Sequence, residues 1–68
     1  MCEVIARIKK SRLAEIRVTR DQYQGREVVD IRVWVQEPSG AWKPSTKGVQ
    51  FDEKRLDAVL TGLKLAKR

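Results

Sequence analysis

The sequence contains no histidine and only one cysteine, Cys2, among its 68 residues. Without a histidine or a second cysteine, the chain cannot form the usual zinc sites, a Cys–His nucleophilic pair or a Ser–His–Asp triad. A lone thiol cannot form an internal disulfide, and this cysteine usage does not indicate an oxidising compartment. We therefore expect no catalytic residue, no metal site and no cofactor.

Long apolar runs are missing as well. No stretch reaches the roughly 18 consecutive apolar residues of a membrane-spanning helix, and the N-terminus lacks the apolar segment of a signal peptide. These absences predict a soluble protein of the cell interior that does not contact a membrane.

The chain is short for a domain that must bury its own core. Its 68 residues and 7.9 kDa allow one domain, residues 1–68. Ordering each residue costs roughly 1.5 kcal/mol, and so short a chain can barely offset that cost by burying apolar surface. The composition, 41% hydrophobic and 35% charged, is nevertheless that of a folded chain. We expect a homodimer, because a second copy would enlarge the buried surface.

Positive charge is in excess and unevenly distributed. The formal net charge of +6, with a pI near 10.0, favours an anionic partner. Residues 1–20 carry a net charge of +4 and residues 52–68 a net charge of +2, whereas residues 21–51 are neutral. Both tryptophans lie in the neutral region, so the general basicity is located at the two ends of the chain.

Four stretches predict β-strands, because each is rich in β-branched residues or alternates apolar with polar residues. They are "EVIARIK" (3–9), "LAEIRVT" (13–19), "REVVDIRVWVQ" (26–36) and a fourth from about 41 to 51. The connections are "KSR", with Lys9 and Lys10 in a solvated turn, then "DQYQGR", with Asp21 and Gly25 as turn residues, then "EPSG". Pro44 and Gly48 predict that the fourth strand is an edge strand or contains a bulge.

The third strand has the clearest alternation. Its aliphatic residues point to one face, and its polar residues point to the other together with Trp34. The aliphatic set is Val29, Ile31, Val33 and Val35, and the other set is Asp30, Arg32, Trp34 and Gln36. Trp34 is therefore predicted to lie beside Arg32 and Asp30, away from the aliphatic core.

An amphipathic helix is predicted after the fourth strand. Asp52 is a plausible N-cap, and the leucines and valine that follow recur at helical spacing. These residues, which we expect to pack in the core and at a dimer contact, are Leu56, Val59, Leu60 and Leu63. The predicted fold is thus α+β, with the element order ββββα.

The aromatic and basic residues together indicate a surface for single-stranded nucleic acid. A single strand presents phosphates and unstacked bases, so a binding protein needs cations with flat apolar side chains between them. Tyr23, Trp34 and Trp42 are interleaved with Arg26, Arg32, Lys43 and Lys47 in this way. Duplex DNA has no free base faces and should bind more weakly.

From about Ser11 to Ala66 the chain resembles the positive cofactor four family of transcriptional coactivators, in its short bacterial or phage form. The resemblance is carried by "EIRV" (15–18), "YQGR" (23–26), "VDIR" (29–32) and "GAWKPSTKG" (40–48), in that order and followed by a helix. It implies a curved four-stranded antiparallel sheet with a C-terminal helix, a dimer, and sequence-nonspecific binding of single-stranded or melted DNA. It also implies the bacterial cytoplasm, in association with the nucleoid, or the host cytoplasm if the chain is phage-encoded.

Family positions can be carried over to this chain residue by residue. Tyr23 and Arg26 match the aromatic and basic positions around the glycine of "YQGR", Arg32 matches the arginine of "DIR", and Lys43 and Lys47 match the "KP" and "KG" lysines. The chain departs from the family at Gln24 and Thr46, where some members are basic, and at Val35, where some have a second aromatic. The complete predicted nucleic-acid-binding set is Arg17, Tyr23, Arg26, Arg32, Trp34, Trp42, Lys43, Lys47 and Gly48.

Three alternatives remain open at this point. An RNA-binding module would use the same kinds of side chain, because discrimination depends on the 2′-hydroxyl. A protein-interaction adaptor for the transcription machinery would use the basic surface for an acidic partner, with the tryptophans packed in the core or an interface. An enzyme is the least favoured class, because Glu27 and Asp30 have no evident nucleophile beside them and histidine is absent.

Overall fold

Four antiparallel strands in chain order form one sheet, and a helix follows the last strand. A computed structural model describes residues 2–67. The strands are β1 (Glu3–Ser11), β2 (Ala14–Tyr23), β3 (Arg26–Gln36) and β4 (Trp42–Asp52), followed by a 3₁₀ turn (Glu53–Arg55) and helix α1 (Leu56–Ala66). The sheet is curved, and the predicted α+β order ββββα is confirmed.

The first two hairpins are tighter than the sequence predicted. β1 continues through Lys9 and Lys10 to Ser11, so the prediction that these lysines lie in a turn is wrong. Lys9 pairs with Glu15 of β2, and this cross-strand pairing extends the ladder. β2 likewise continues through Asp21, which was predicted to be a turn residue.

A two-residue turn joins β2 to β3. Gln24 and Gly25 have φ values of 52° and 78°, which is the type I′ geometry that matches the twist of antiparallel strands. The turn therefore leaves Tyr23 and Arg26 directly opposite each other as the last pair of the ladder.

The β3–β4 connection and the edge strand agree with prediction. Gly40 has a φ of 94° in the predicted "EPSG" turn, and its N–H donates to the Glu37 carbonyl at 2.8 Å. β4 is an edge strand with a bulge, because Trp34 pairs with Pro44 while Arg32 pairs with Gly48. The three residues 45–47 therefore oppose Val33 alone, and the Ser45 hydroxyl donates to the Val33 carbonyl at 2.8 Å.

The register gives the sheet two different faces. The apolar face carries apolar residues from all four strands: Ala6, Ile8, Ala14, Ile16, Val18, Val29, Ile31, Val33, Val35, Val49 and Phe51. Val4 and Val28, which pair with Thr19 and Asp21, lie on the other face. The polar face carries Arg7, Glu15, Arg17, Thr19, Tyr23, Arg26, Asp30, Arg32, Trp34 and Trp42. The predicted alternation of β3 is thus confirmed, and Trp34 lies on the polar face.

The entry to the helix is fixed by an N-cap and an ion pair. The Asp52 carboxylate accepts from the Lys54 N–H at 3.0 Å, as expected for an N-cap. Arg20 on β2 forms an ion pair with Glu53, which ties the 3₁₀ turn to the sheet. Neither helical segment within residues 2–67 has the length and apolar character needed to cross a membrane.

The helix stripe does not pack into a core of the single chain. Leu56 and Val59 are half-buried, Leu60 and Leu63 are exposed, and no residue of α1 is buried. The predicted core role of this stripe is therefore not met within one chain. The reason is geometric, since α1 follows an edge strand and makes its main contacts with the 3₁₀ turn that precedes it.

Candidate nucleic-acid interface

The polar face gathers most of the predicted binding residues. Arg17 of β2 pairs across the sheet with Arg32 of β3, which in turn pairs with Gly48 of β4. Trp34 lies next to this row, opposite Glu15. By this register, seven of the nine predicted residues lie on the polar face: Arg17, Tyr23, Arg26, Arg32, Trp34, Trp42 and Gly48.

The two indoles share one cation. The guanidinium carbon of Arg17 lies 4.4 Å from the ring centre of Trp34 and 5.3 Å from that of Trp42. Both distances are within the range of cation–π attraction. Trp34 and Trp42 come from different strands and are each half-buried, so Arg17 is the residue that joins them into one aromatic cluster.

A buried carboxylate holds Arg17 from the other side. Glu15 accepts from Arg17 Nε at 2.6 Å and from Arg7 Nε at 2.8 Å. The hydrogen bond from Arg7, and then that from Arg17, lower the pKa of the Glu15 carboxyl below its ordinary value of 4.5, against the opposing effect of burial. Sequence reasoning did not single out Glu15 or Arg7. The alternation in "LAEIRVT" places Glu15 on the same face as Arg17 and was the available signal.

Arg32 is also held in place. It contacts the Asp30 carboxylate through Nε at 3.1 Å and Nη2 at 3.2 Å, and its Nη1 donates to the Ser45 carbonyl at 3.0 Å. Arg32 therefore links β3 to the bulge of β4. Together with Trp34 and Pro44 it lines an open cavity of about 220 Å³ on the polar face.

Tyr23 and Arg26 extend the polar face at one end of the sheet. Both side chains are exposed, and both flank the tight turn at Gln24 and Gly25. The phenol ring of Tyr23 is therefore more accessible than the two half-buried indoles.

The two lysines are placed differently from the other predicted residues. Lys43 pairs with Val35, so the structure puts it on the apolar side of the sheet and does not bring it to the polar face. Its Nζ lies 3.6 Å from the carboxylate of Glu37. Lys47 lies in the β4 bulge, where it is exposed and its N–H donates to the Ser45 hydroxyl at 3.1 Å.

Gly48 is required by the backbone. A Cβ at this position would lie 2.7 Å from the Ile31 carbonyl oxygen and 2.8 Å from Arg32 Cα, closer than real Cβ contacts. The glycine thus lets β4 approach β3 beside Arg32.

Metal-binding groups are not part of this site. Among residues 2–67, no group of three Cys, Asp or Glu side chains comes close enough together to hold a metal ion.

The sheet and its polar face define a small ββββα domain with cations and aromatic rings on one surface. Residues 10–61 match the family model described as Transcriptional Coactivator p15 (PC4). The chain therefore belongs to the PC4 family of transcriptional coactivators. No match was found among curated protein sequences.

Solved structures agree with the family assignment. A PC4 homologue from Burkholderia pseudomallei is 35% identical in its orthorhombic crystal form, covering 97% of this chain and 89% of that chain with a TM-score of 0.90. Its tetragonal form gives 34% identity, full coverage of both chains and a TM-score of 0.92. A bacteriophage T5 homologue of the eukaryotic coactivator PC4 shares the fold at 17% identity, with a TM-score of 0.70 over 94% of this chain and 72% of that one.

Proposed function

We propose that the polar face binds single-stranded or melted DNA with little sequence preference. The observation that carries this proposal is the placement of Trp34, Trp42 and Tyr23 with several arginines on one sheet surface. Membership of a coactivator family that acts on DNA supports it. The face is suited to this ligand because rings can stack with exposed bases while cations meet the phosphates.

Stacking and phosphate contacts on the polar face together supply enough free energy for binding. Each stacked base contributes about 1–3 kcal/mol, so two or three platforms give usable affinity. If about four cations neutralise phosphates, the slope of log K against log salt is about −3 for a single strand. Arg26 and Lys47 are exposed and suited to this phosphate role, whereas Arg32 is engaged by Asp30.

We propose that the binding unit is a homodimer. Ile8 and Val49 on the apolar face are exposed, the latter at 56%, as are Leu60 and Leu63 of α1. A second copy of the chain offers the same apolar surfaces and would bury both sets. This role agrees with the dimer contact predicted for the helix stripe.

We place the activity in transcription or another process that exposes single strands, in the cytoplasm. The family model is named for a transcriptional coactivator, and the T5 homologue is implicated in recombination-dependent DNA replication. We propose a binding function with no chemical step, in keeping with membership of a coactivator family.

The proposal is tested by titrating the protein into fluorescent oligo-dT and a matched hairpin duplex at two salt concentrations. We expect tighter binding to the single strand and a salt slope near −3. Equal affinity for the duplex would overturn the single-strand preference. Stronger competition by oligo-U than by oligo-dT would favour RNA, and absence of binding to all three would favour a protein partner.

A further inference from the structure

We propose that Arg17 and Glu15 form a positioning unit for the two indoles, and that Arg17 does not serve as a phosphate ligand. This inference rests on the proposed single-strand function and refines how that surface works. Arg17 holds Trp34 and Trp42 in the orientation in which bases stack on them, and Glu15 holds Arg17.

The burial of Arg17 separates it from the other cations of the polar face. Its side chain is only 11% exposed, whereas that of Arg7, which binds the same carboxylate, is 56% exposed. A phosphate oxygen needs access to the guanidinium, and the surroundings of Arg17 are already filled by Trp34, Trp42 and Glu15. Arg17 is therefore a poor phosphate ligand and is well placed to restrain both indoles.

Glu15 keeps Arg17 from exchanging its contacts within the protein for a contact with a phosphate. The carboxylate is itself only 11% exposed and is satisfied by two arginines. If Arg17 moved to a phosphate, it would leave a buried carboxylate with one partner fewer, and removing a partner from a buried ion pair is strongly unfavourable. The pair thus stays intact when a polyanion approaches, and its charge is largely neutralised within the protein.

The proposed positioning role requires the planar shape of the Arg17 guanidinium. Arginine can stack flat on aromatic rings while donating an in-plane hydrogen bond to a carboxylate, whereas a lysine ammonium is a compact point charge. Arg17→Lys therefore keeps the positive charge and removes the planar guanidinium group. The substitution distinguishes a positioning role from a point-charge phosphate contact, because the lysine ammonium can still meet a phosphate but cannot stack flat on the rings.

The first test compares Arg17→Lys with Arg12→Lys in oligo-dT titrations. Arg12 lies exposed in the β1–β2 turn and receives the same chemical change. We expect Arg17→Lys to weaken binding about tenfold, the scale of one lost stacking contact, with the salt slope unchanged. Arg12→Lys should bind within about twofold of the parent. Parent-like binding by Arg17→Lys would overturn the proposal.

The second test compares Glu15→Gln with Glu37→Gln, which add the same net charge. Glu37 follows β3 and pairs with Lys43, which the register places on the apolar side of the sheet, whereas the indoles lie on the polar face. We expect Glu15→Gln to bind oligo-dT several-fold more weakly than Glu37→Gln at high salt, where long-range attraction is screened. Equal or tighter binding by Glu15→Gln would show that Glu15 merely opposes the phosphates, and the proposal would fail.

A measurement on the free protein decides the inference independently of DNA binding. Acrylamide quenching of tryptophan emission should increase in Arg17→Lys relative to Arg12→Lys, since the indoles lose their cover. Equal quenching in folded variants, checked by thermal melting, would overturn the positioning role. If the parent chain bound no single strand while this increase occurred, the proposed function would fail and the positioning role would stand.

Discussion

At the scale of single residues, the polar face is organised by pairs that restrain its cations. Asp30 fixes Arg32, and Glu15 fixes both Arg7 and Arg17. The sequence predicted that Asp30, Arg32 and Trp34 share a face, because strand alternation places every second side chain on the same side. It could not predict that Arg17 lies over both indoles, since that contact joins three strands and depends on their register.

We expect Trp34→Ala combined with Arg32→Ala to lower affinity for oligo-dT at least tenfold, because it removes one stacking platform and the arginine that links β3 to the β4 bulge beside it. Fluorescence anisotropy measures the change, and circular dichroism checks the fold. Leu65→Ala with Lys64→Ala makes comparable changes on α1, where both side chains are exposed, and should bind normally. Normal binding by the Trp34 and Arg32 variant would contradict the face assignment of β3.

Glu15 also predicts a pH dependence of stability. Its pKa is lowered in the folded state by Arg7 and Arg17, so its contribution is present above the unfolded pKa. That contribution is lost as pH falls through the lower, folded pKa. Urea unfolding of the parent chain and of Glu15→Gln should therefore show a stability difference at pH 7 that narrows towards pH 3. A difference that stays constant over this range would mean that the carboxylate charge does not contribute.

At the scale of elements, the sequence predicted the order of the strands and the helix better than their ends. Asp21 was predicted to lie in a turn because aspartate is common there, but the tight Gln24–Gly25 turn lets β2 continue to Tyr23. Lys9 and Lys10 were assigned to a turn for their charge, although their strand pairs with β2. Turn length, which the composition of a loop does not specify, accounts for both errors.

Substitutions at two glycines test how closely β4 packs against β3. Gly48→Ala should destabilise the protein by about 1–3 kcal/mol, because its Cβ would meet the backbone of β3 and the strands would have to shift. Gly62→Ala is the matched control, since a Cβ there meets nothing within 4 Å and alanine favours the helix by up to about 1 kcal/mol. Urea denaturation measures both changes. A neutral Gly48→Ala would contradict the close approach of β4 to β3.

At the scale of the whole molecule, a single chain leaves many of its large apolar side chains exposed to solvent. The short sequence predicted this shortage of core, because 68 residues cannot enclose all of their apolar side chains. It did not predict that α1 would lie off the sheet and leave Leu60 and Leu63 exposed. Where the helix lies is set by the edge strand that it follows and by the ion pair between Arg20 and Glu53.

We expect the protein to sediment at micromolar concentration with twice the mass of its 7.9 kDa chain. Leu60→Glu combined with Leu63→Glu should shift it towards the monomer, since two charges would have to be buried at the contact. Leu65→Glu, at a position that is 76% exposed, is the control and should leave the dimer intact. A parent chain that sediments only as a monomer would refute the dimer.

The most direct test of the central claim is to follow the amide and indole signals of ¹⁵N-labelled protein by nuclear magnetic resonance while oligo-dT is added. The account predicts that the indole N–H signals of Trp34 and Trp42 and the amides around Arg26 and Gly48 shift with the added strand. Signals of the exposed C-terminal part of α1, around Leu65, should stay in place. Shifts confined to α1 and the apolar face, with unchanged indole signals, would contradict the claim that the polar face binds single strands.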